Sequence, residues 1–171
     1  SGDQVVPMGK KTLENATLNN GEFSFEIKDE AGKVVSTGSN DADGNITFTN
    51  LVYGKNDVDR EKPKTYTYKV SEVIPAAATA ENNYTVNGVT YDTSVKTIYV
   101  EVKLDENNNV EATLLDSSDA LTFKNVAETL SGKTVSAQKV WVNSDGSTAG
   151  WPAGAAVKVE LLADGVPTGM V

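Results

Sequence analysis

The stretch TYTYKVSE, residues 65–72, places a carboxylate where its own pattern calls for an apolar side chain. Apolar and polar residues alternate along this stretch with the period of two that is typical of a half-buried strand. Continuing the alternation puts Glu72 on the same face as Tyr66, Tyr68 and Val70. An ionised carboxylate inside a core is costly unless a partner holds or neutralises it. The sequence therefore predicts that partners for Glu72 are buried beside it.

The same alternation supplies two candidate partners, one near residue 11 and one near residue 125. Lys11 shares a strand face with Leu13, and Asn125 shares a face with Phe123. An inward-facing lysine thus belongs to an early strand and an inward-facing asparagine to a late one. Lys10 is the competing lysine, but the alternation places it on the opposite face.

These three residue types can react with one another when they are buried together. Burial lowers the pKa of a lysine and raises the pKa of a glutamic acid, which favours a neutral amine beside a neutral acid. A neutral amine is a nucleophile, and an acid that hydrogen-bonds the asparagine side-chain carbonyl makes its carbon more electrophilic. Attack by Lys11 on Asn125, with Glu72 relaying protons, would release ammonia and leave an amide between the two side chains. The unreactive alternative is a buried Lys11–Glu72 salt bridge with a hydrogen-bonded Asn125.

The elements that must position these residues are β-strands, since no helical period longer than two turns is present. Turn residues such as Ala31-Gly32 and Asp43-Gly44 separate the candidate strands. Short strands at this spacing predict an all-β fold, an immunoglobulin-like antiparallel β-sandwich. The candidate strands cover residues 23–29, 33–39, 45–53, 64–73, 84–87, 90–105, 110–116 and 121–126.

Composition argues against several classes of function. The 171 residues carry a net charge of −9, with no histidine, no cysteine and Arg60 as the single arginine. The acidic balance argues against a nucleic-acid partner, and the missing histidines and cysteines remove most transition-metal sites and nucleophile–base pairs. No apolar run approaches the ~20 residues of a membrane span. A glycosidase role for Glu72 would need a second carboxylate across a cleft, whereas the other acids cluster at turns. We therefore expect no cofactor, no metal, no membrane segment and no enzymatic activity toward other molecules.

A second β unit starts after a pause in the pattern at residues 127–133. Its strands are predicted at 139–142 and 157–162, joined by a glycine-rich stretch. Thirty-odd residues fall below the ~40 that an independent core needs, so the unit is expected to be part of a domain. The predicted division is a tail at 1–7, a sandwich at 8–126, a linker at 127–133 and an incomplete domain at 134–171.

Five stretches, in this order, resemble the pilin isopeptide-linkage domain of Gram-positive surface proteins. They are GKKTLENATLNNGEFSFEIKD, NDADGNITF, TYTYKVSEV, VTYDTSVKTIYVEV and LTFKN, and the resemblance covers about residues 8–126. In that family a lysine on the first strand, the glutamate of a V-S/T-E motif and the asparagine of F-K-N form an intramolecular isopeptide bond. The resemblance implies that these residues are Lys11, Glu72 and Asn125.

The stretches QKVWVNSDGS and WPAGAAVKVELLADGVPTG resemble the start of a collagen-adhesin B-type repeat. The resemblance implies that Lys139 is a cross-link lysine, whose acid and asparagine lie on later strands outside this chain. Trp151 stands where that family usually carries an arginine before the proline. A longer chain that completes the repeat should form a second bond, which its intact mass would reveal.

The two resemblances imply a mechanical role. The chain would be part of a Gram-positive adhesin or pilus shaft, extracellular and anchored to the cell wall by a segment outside this fragment. Its partners would be neighbouring domains of the same surface protein and, through the full-length protein, a host matrix protein or glycan. The alternative is a ligand-binding adhesin module that recognises a host protein or glycan through the loops at 53–63 and 76–83.

Overall fold

The computed structural model describes residues 2–129, and these form an all-β fold. Two short 3-10 turns, Lys55–Asp57 and Ala80–Asn82, are the helical segments of this part of the chain. Its strands are β1 Asp3–Val5, β2 Met8–Glu14, β3 Ser24–Lys28, β4 Val34–Asn40, β5 Asn45–Phe48, β6 Leu51–Tyr53, β7 Lys64–Val73, β8 Thr85–Val86, β9 Val89–Thr90, β10 Lys96–Leu104, β11 Val110–Leu114 and β12 Thr122–Ala127.

Ten of these strands form one sheet in the order β11-β10-β7-β3-β4-β5-β2-β12-β9-β8, and β1 pairs with β6. Neighbouring strands in the described residues run antiparallel except β2 and β12, which are parallel, with Lys11 opposite Phe123 and Leu13 opposite Asn125. The prediction of an all-β fold is confirmed. The prediction that its sheets are antiparallel is wrong at this one pair, which joins an early strand to the last described strand.

The sheet curls until strands that are distant in its order face each other. Three strands separate β7 from β2, so a flat sheet would hold them roughly 19 Å apart. Side chains from β7 and β2 nevertheless touch, as described below. The curl encloses an apolar core formed by alternate residues of nearly every strand; its most buried members are Phe25, Ile27, Ile46, Phe48, Val70, Ile98, Val100, Val102 and Phe123.

The tail predicted for residues 1–7 is partly ordered as a strand, which corrects that expectation. Asp3–Val5 pairs with Leu51–Tyr53 in antiparallel register. The Asp3 carboxylate also accepts a hydrogen bond from the backbone N–H of Ala112, at 2.8 Å. Backbone pairing and this contact with β11 hold a segment whose few apolar residues gave no strand pattern. The partial domain predicted at 134–171 lies outside the described residues.

The long strand predicted at 90–105 is interrupted. β9 ends at Thr90 and β10 begins at Lys96, with a loop at residues 91–95 between them. The Asp92 carboxylate accepts hydrogen bonds from the backbone N–H of Ser94 at 2.9 Å and from its hydroxyl at 2.6 Å. Such local side-chain contacts offer the backbone an alternative to the sheet ladder, which accounts for the break.

Gly44 brings the turn between β4 and β5 against the backbone of β2. Its φ is +91°, and a Cβ at this position would clash with the carbonyl oxygen of Lys11. The backbone N–H of Lys11 donates to the Gly44 carbonyl at 2.7 Å. The absence of a side chain at Gly44 therefore allows this close packing against the strand that carries Lys11.

We predict that Gly44→Ala destabilises the fold more than Gly32→Ala does. Gly32 also has a positive φ, +84°, but a Cβ there would meet nothing within 4 Å, so it reports the backbone cost alone. That cost is about 1–2 kcal/mol, and the contact with Lys11 should at least double it at Gly44. Urea unfolding of both variants measures the difference. Equal losses in free energy of unfolding would show that the packing against Lys11 is unimportant.

Candidate functional site

Three polar side chains meet in the apolar interior. Lys11 Nζ donates a hydrogen bond to Glu72 Oε1 at 2.6 Å, and Asn125 Nδ2 donates to Glu72 Oε2 at 2.7 Å. The side chains of Lys11 and Glu72 are both 0% exposed, and Asn125 is likewise 0% exposed. The structure thus brings together the three residues that the strand pattern singled out, one each from β2, β7 and β12.

Strand pairing aims these side chains at one another. Lys11 lies opposite Phe123 in the parallel β2–β12 pair, and Asn125, two residues further along β12, shares the inward face. Glu72 enters from β7, where it lies opposite Phe25 of β3. Lys11 and Asn125 therefore come from neighbouring strands, while Glu72 reaches them across the inside of the curl.

Aromatic rings line the site around the amine. Lys11 Nζ lies 4.6 Å from the ring centroid of Phe23 and 5.7 Å from that of Phe25. The Phe25 and Phe123 rings pack against each other with centroids 5.2 Å apart. Such a lining excludes water while the ring faces still attract positive charge.

Burial acts on the protonation of both titratable groups. Loss of hydration lowers the pKa of the Lys11 amine, although the hydrogen bond to Glu72 and its charge oppose the shift. Loss of hydration likewise raises the pKa of the Glu72 carboxyl against the opposing effects of Lys11 and Asn125. Both shifts favour an uncharged amine beside an uncharged acid. The site can therefore hold Lys11 as an uncharged, nucleophilic amine at a pH at which a lysine in water remains protonated.

The Asn125 carboxamide is held in one orientation. Its Oδ1 accepts a hydrogen bond from the backbone N–H of Asp92 at 2.9 Å, and its Nδ2 faces Glu72. A backbone N–H only donates, so the atom opposite it must be the oxygen. The expectation that Glu72 hydrogen-bonds the carbonyl of Asn125 is therefore wrong: Glu72 faces the amide nitrogen, and Asp92 occupies the carbonyl side.

Asp92 is the site residue that sequence reasoning missed. It lies within the predicted strand 90–105, and its contribution to Asn125 comes from the backbone, which residue type does not reveal. The signal that was available is the Asp-x-Ser spacing in VTYDTSVKTIYVEV, because such aspartates often bind the backbone two residues on and form a turn.

A second lysine–asparagine–aspartate cluster lies on the surface. Lys10 Nζ donates to Asn45 Oδ1 at 3.0 Å, and Asn45 Nδ2 donates to Asp41 Oδ2 at 3.4 Å. Lys10 and Asn45 are exposed, and Lys10 points away from Glu72 as the alternation predicts. The molecule thus carries a water-exposed counterpart of the buried cluster.

Three further expectations from the sequence concern a metal site, a membrane span and Lys139. Residues 2–129 contain no group of three or more acidic side chains arranged to hold a metal ion. No helix in the same range is long and apolar enough to cross a membrane. Lys139, the second predicted cross-link lysine, lies outside the described residues.

Comparison with known proteins places the triad within a matched family region. The family model FctA, described as a Spy0128-like isopeptide containing domain, matches residues 7–128. A crystal structure of the major pilin from Streptococcus pyogenes is similar, with 22% identity over 75% of this chain and 51% of that chain and a TM-score of 0.38. The major pilin protein T-13 from Streptococcus pyogenes shows 16% identity over 73% of this chain and 54% of that chain, with a TM-score of 0.37. The chain thus spans about half the length of these pilins, and curated proteins give no significant match.

We predict a characteristic pH dependence of stability when Lys11 and Glu72 stay unlinked, as in an Asn125→Ala variant. Above the ordinary Glu pKa of 4.5, the folded state keeps a proton on Glu72 that the unfolded chain has lost, because burial raises this pKa. Stability should therefore fall as pH rises through that window. Burial lowers the pKa of Lys11, so stability should recover as pH rises from that lowered value toward 10.5, where the unfolded chain also releases its proton.

The matched variant adds Lys11→Met and Glu72→Gln to Asn125→Ala and keeps every other titrating group. Urea unfolding across the pH range gives both profiles, and their difference should be a trough between the two windows. A flat difference would mean that neither pKa is shifted in the folded state.

Proposed function

The chain belongs to the family of Spy0128-like isopeptide containing domains, and we propose that its own bond forms between Lys11 and Asn125 and makes it a structural module of a surface pilus. One observation carries this proposal above all others. Each oxygen of Glu72 touches one of the two nitrogens that would exchange places, Lys11 Nζ at 2.6 Å and Asn125 Nδ2 at 2.7 Å. A single acid in that position can serve both ends of the reaction.

The reaction balances without an added reagent. The lone pair of Lys11 Nζ attacks Asn125 Cγ, a C–N bond forms, and the carbonyl electrons move to Oδ1. Glu72 gives a proton from one oxygen to Nδ2 and takes one from Nζ at the other. The Cγ–Nδ2 bond then breaks, and the carbonyl re-forms. Ammonia leaves, an amide joins the two side chains, and Glu72 ends in the protonation state in which it began.

Burial separates the proposed reaction from an ordinary salt bridge. Transfer of an ion pair into an apolar interior costs several kcal/mol per ion, which favours the neutral forms that can react. The surface cluster of Lys10, Asn45 and Asp41 has similar groups in contact but lies in water. It lacks both the apolar lining and an acid placed against its lysine, so we expect no bond there.

The position of the bond suits a mechanical role. β2 and β12 are parallel neighbours near the two ends of the domain, so tension applied through the flanking chain would shear this pair lengthwise. A bond between Lys11 and Asn125 would carry that load covalently and bypass the chain between them. It would also close a loop of more than a hundred residues, which by analogy with disulfides restricts the unfolded chain by roughly 5 kcal/mol.

The wider setting follows from the family and from this role. The family is structural, which agrees with the expectation that the chain is not an enzyme toward other molecules. We place the module in the shaft of a Gram-positive, extracellular, cell-wall-anchored pilus or adhesin, with neighbouring domains as its partners. Recognition of a host protein or glycan through the loops at 53–63 and 76–83 is the less favoured alternative, because the matched family is defined by an isopeptide-containing domain.

We predict that the purified protein is lighter than its sequence by the mass of one ammonia. The buried contacts of Glu72 with both nitrogens are the reason for this expectation. Intact-mass measurement detects the loss, and digestion should yield one peptide pair joined through Lys11 and Asn125. An unmodified mass would leave the buried salt bridge as the correct interpretation.

Variants at the two clusters provide the control. Glu72→Ala should abolish the ammonia loss, leave a recognisable fold, lower the melting temperature and hasten trypsin cleavage, because the bond is then missing. Lys10→Ala and Asn45→Ala remove the exposed pair, and each variant should still lose one full equivalent of ammonia. Ammonia loss at the normal rate in Glu72→Ala would require a different proton relay.

A further inference from the structure

Building on the proposed cross-link, we propose that the backbone N–H of Asp92 is the oxyanion donor of the reaction and that the Asp92 carboxylate holds this donor in place. The N–H touches Oδ1, the atom on which negative charge develops, so it acts directly on the reacting group. The carboxylate acts through the loop and is a positioning group.

The geometry of the amide supports the first half of this proposal. Asp92 N–H donates to Asn125 Oδ1 at 2.9 Å, within the range expected of an oxyanion-hole donor. Asn125 is 0% exposed, so water does not compete with this donor. Attack by Lys11 turns the carbonyl into an alkoxide, and a fixed donor in a dry site stabilises that charge more than the neutral ground state.

The same hydrogen bond also sets the direction in which the amide reacts. With Oδ1 held by Asp92, Nδ2 must face Glu72, which supplies the proton that lets ammonia leave. A flipped amide would present its oxygen to Glu72 and its N–H₂ to another donor. The Asp92 N–H thus polarises the electrophile and directs the leaving group with one contact.

The carboxylate of Asp92 fastens the loop that carries this N–H. One oxygen accepts from the N–H and hydroxyl of Ser94, and the other accepts from the backbone N–H of Lys124 at 2.8 Å. Lys124 is the residue next to Asn125 in β12, so the loop is tied to the strand that bears the electrophile. Burial raises the pKa of Asp92, but these donors and the charge of Lys96 together outweigh it and hold the pKa below its usual value.

The first experiment removes the donor alone. Cell-free synthesis of the full chain with malic acid in place of Asp92 replaces the N–H by an ester oxygen and keeps the carboxylate with its contacts. Ammonia loss is followed by intact mass over time, and resistance to trypsin reports the fold. We expect the first-order rate constant to fall about 100-fold.

Asp119 offers a matched control for that replacement. Its backbone N–H donates to the Thr97 carbonyl at 2.8 Å, and its carboxylate accepts from the Thr97 N–H at 2.7 Å, but neither group contacts the triad. Malic acid at position 119 therefore removes a backbone N–H donor from another loop. The hydrogen bond that is lost there is of similar length to that of the Asp92 N–H. The rate of ammonia loss should stay at the value of the unmodified chain.

The positioning role is tested with Asp92→Asn and Asp119→Asn. Asp92→Asn places an N–H₂ group where a carboxylate oxygen accepts hydrogen bonds. This should loosen the loop and slow ammonia loss about tenfold or more. The second should leave the rate unchanged. Unchanged rates with malic acid at 92 and with Asp92→Asn would overturn the proposal while the cross-link stands, whereas no ammonia loss from the unmodified chain would overturn both.

A last measurement needs no variant and is independent of folding yield. Oδ1 remains as the carbonyl oxygen of the cross-linked product, so the Asp92 N–H should still bind it. A long-range HNCO spectrum of the labelled protein should show coupling between the Asp92 nitrogen and the Asn125 side-chain carbonyl carbon. Coupling from a different amide to that carbon would assign the donor to another residue and refute the proposal.

Discussion

A lysine amine and a glutamic acid lie 2.6 Å apart in an apolar interior, and the rest of this fold must stabilise that contact. Their attraction does not recover the hydration that both lose, so the pair is most stable in the uncharged form or as part of a larger hydrogen-bonded group. Water must be kept out, and the phenylalanine rings around Lys11 do so. Loops would hold such a pair loosely, which explains why strands of a curled sheet carry all three side chains.

The two lysine–asparagine clusters contain similar chemical groups but differ in their surroundings. Lys10 and Asn45 are in contact like their buried counterparts, with a carboxylate nearby. What distinguishes the buried cluster is a dry environment, an acid with one oxygen on each nitrogen and an amide fixed in orientation by Asp92. All three features depend on where the fold positions the side chains.

Strand alternation singled out Lys11, Glu72 and Asn125 because a period of two needs only neighbouring residues to be read. For the same reason, the bounds predicted for β7 agree with the structure. Alternation does not specify which strands pair, so the parallel β2–β12 contact and the pairing of β1 were not predictable from it. The donor at Asp92 was hidden for another reason: a backbone N–H is present at every residue but proline, and only the folded loop shows where it points.

The parallel pairing of β2 with β12 also imposes an order on the folding reaction. During synthesis the N-terminal strands emerge first, and β2 waits for its neighbour until nearly the whole domain has been made. Pairing over such a sequence separation is slow, because the loop must close before the contact forms. A chain cut short before β12 would hold Lys11 and Glu72 but no electrophile. If Lys11 and Asn125 react as proposed, ammonia release would mark the moment when β12 has docked, and from then on the domain could not return to an open chain.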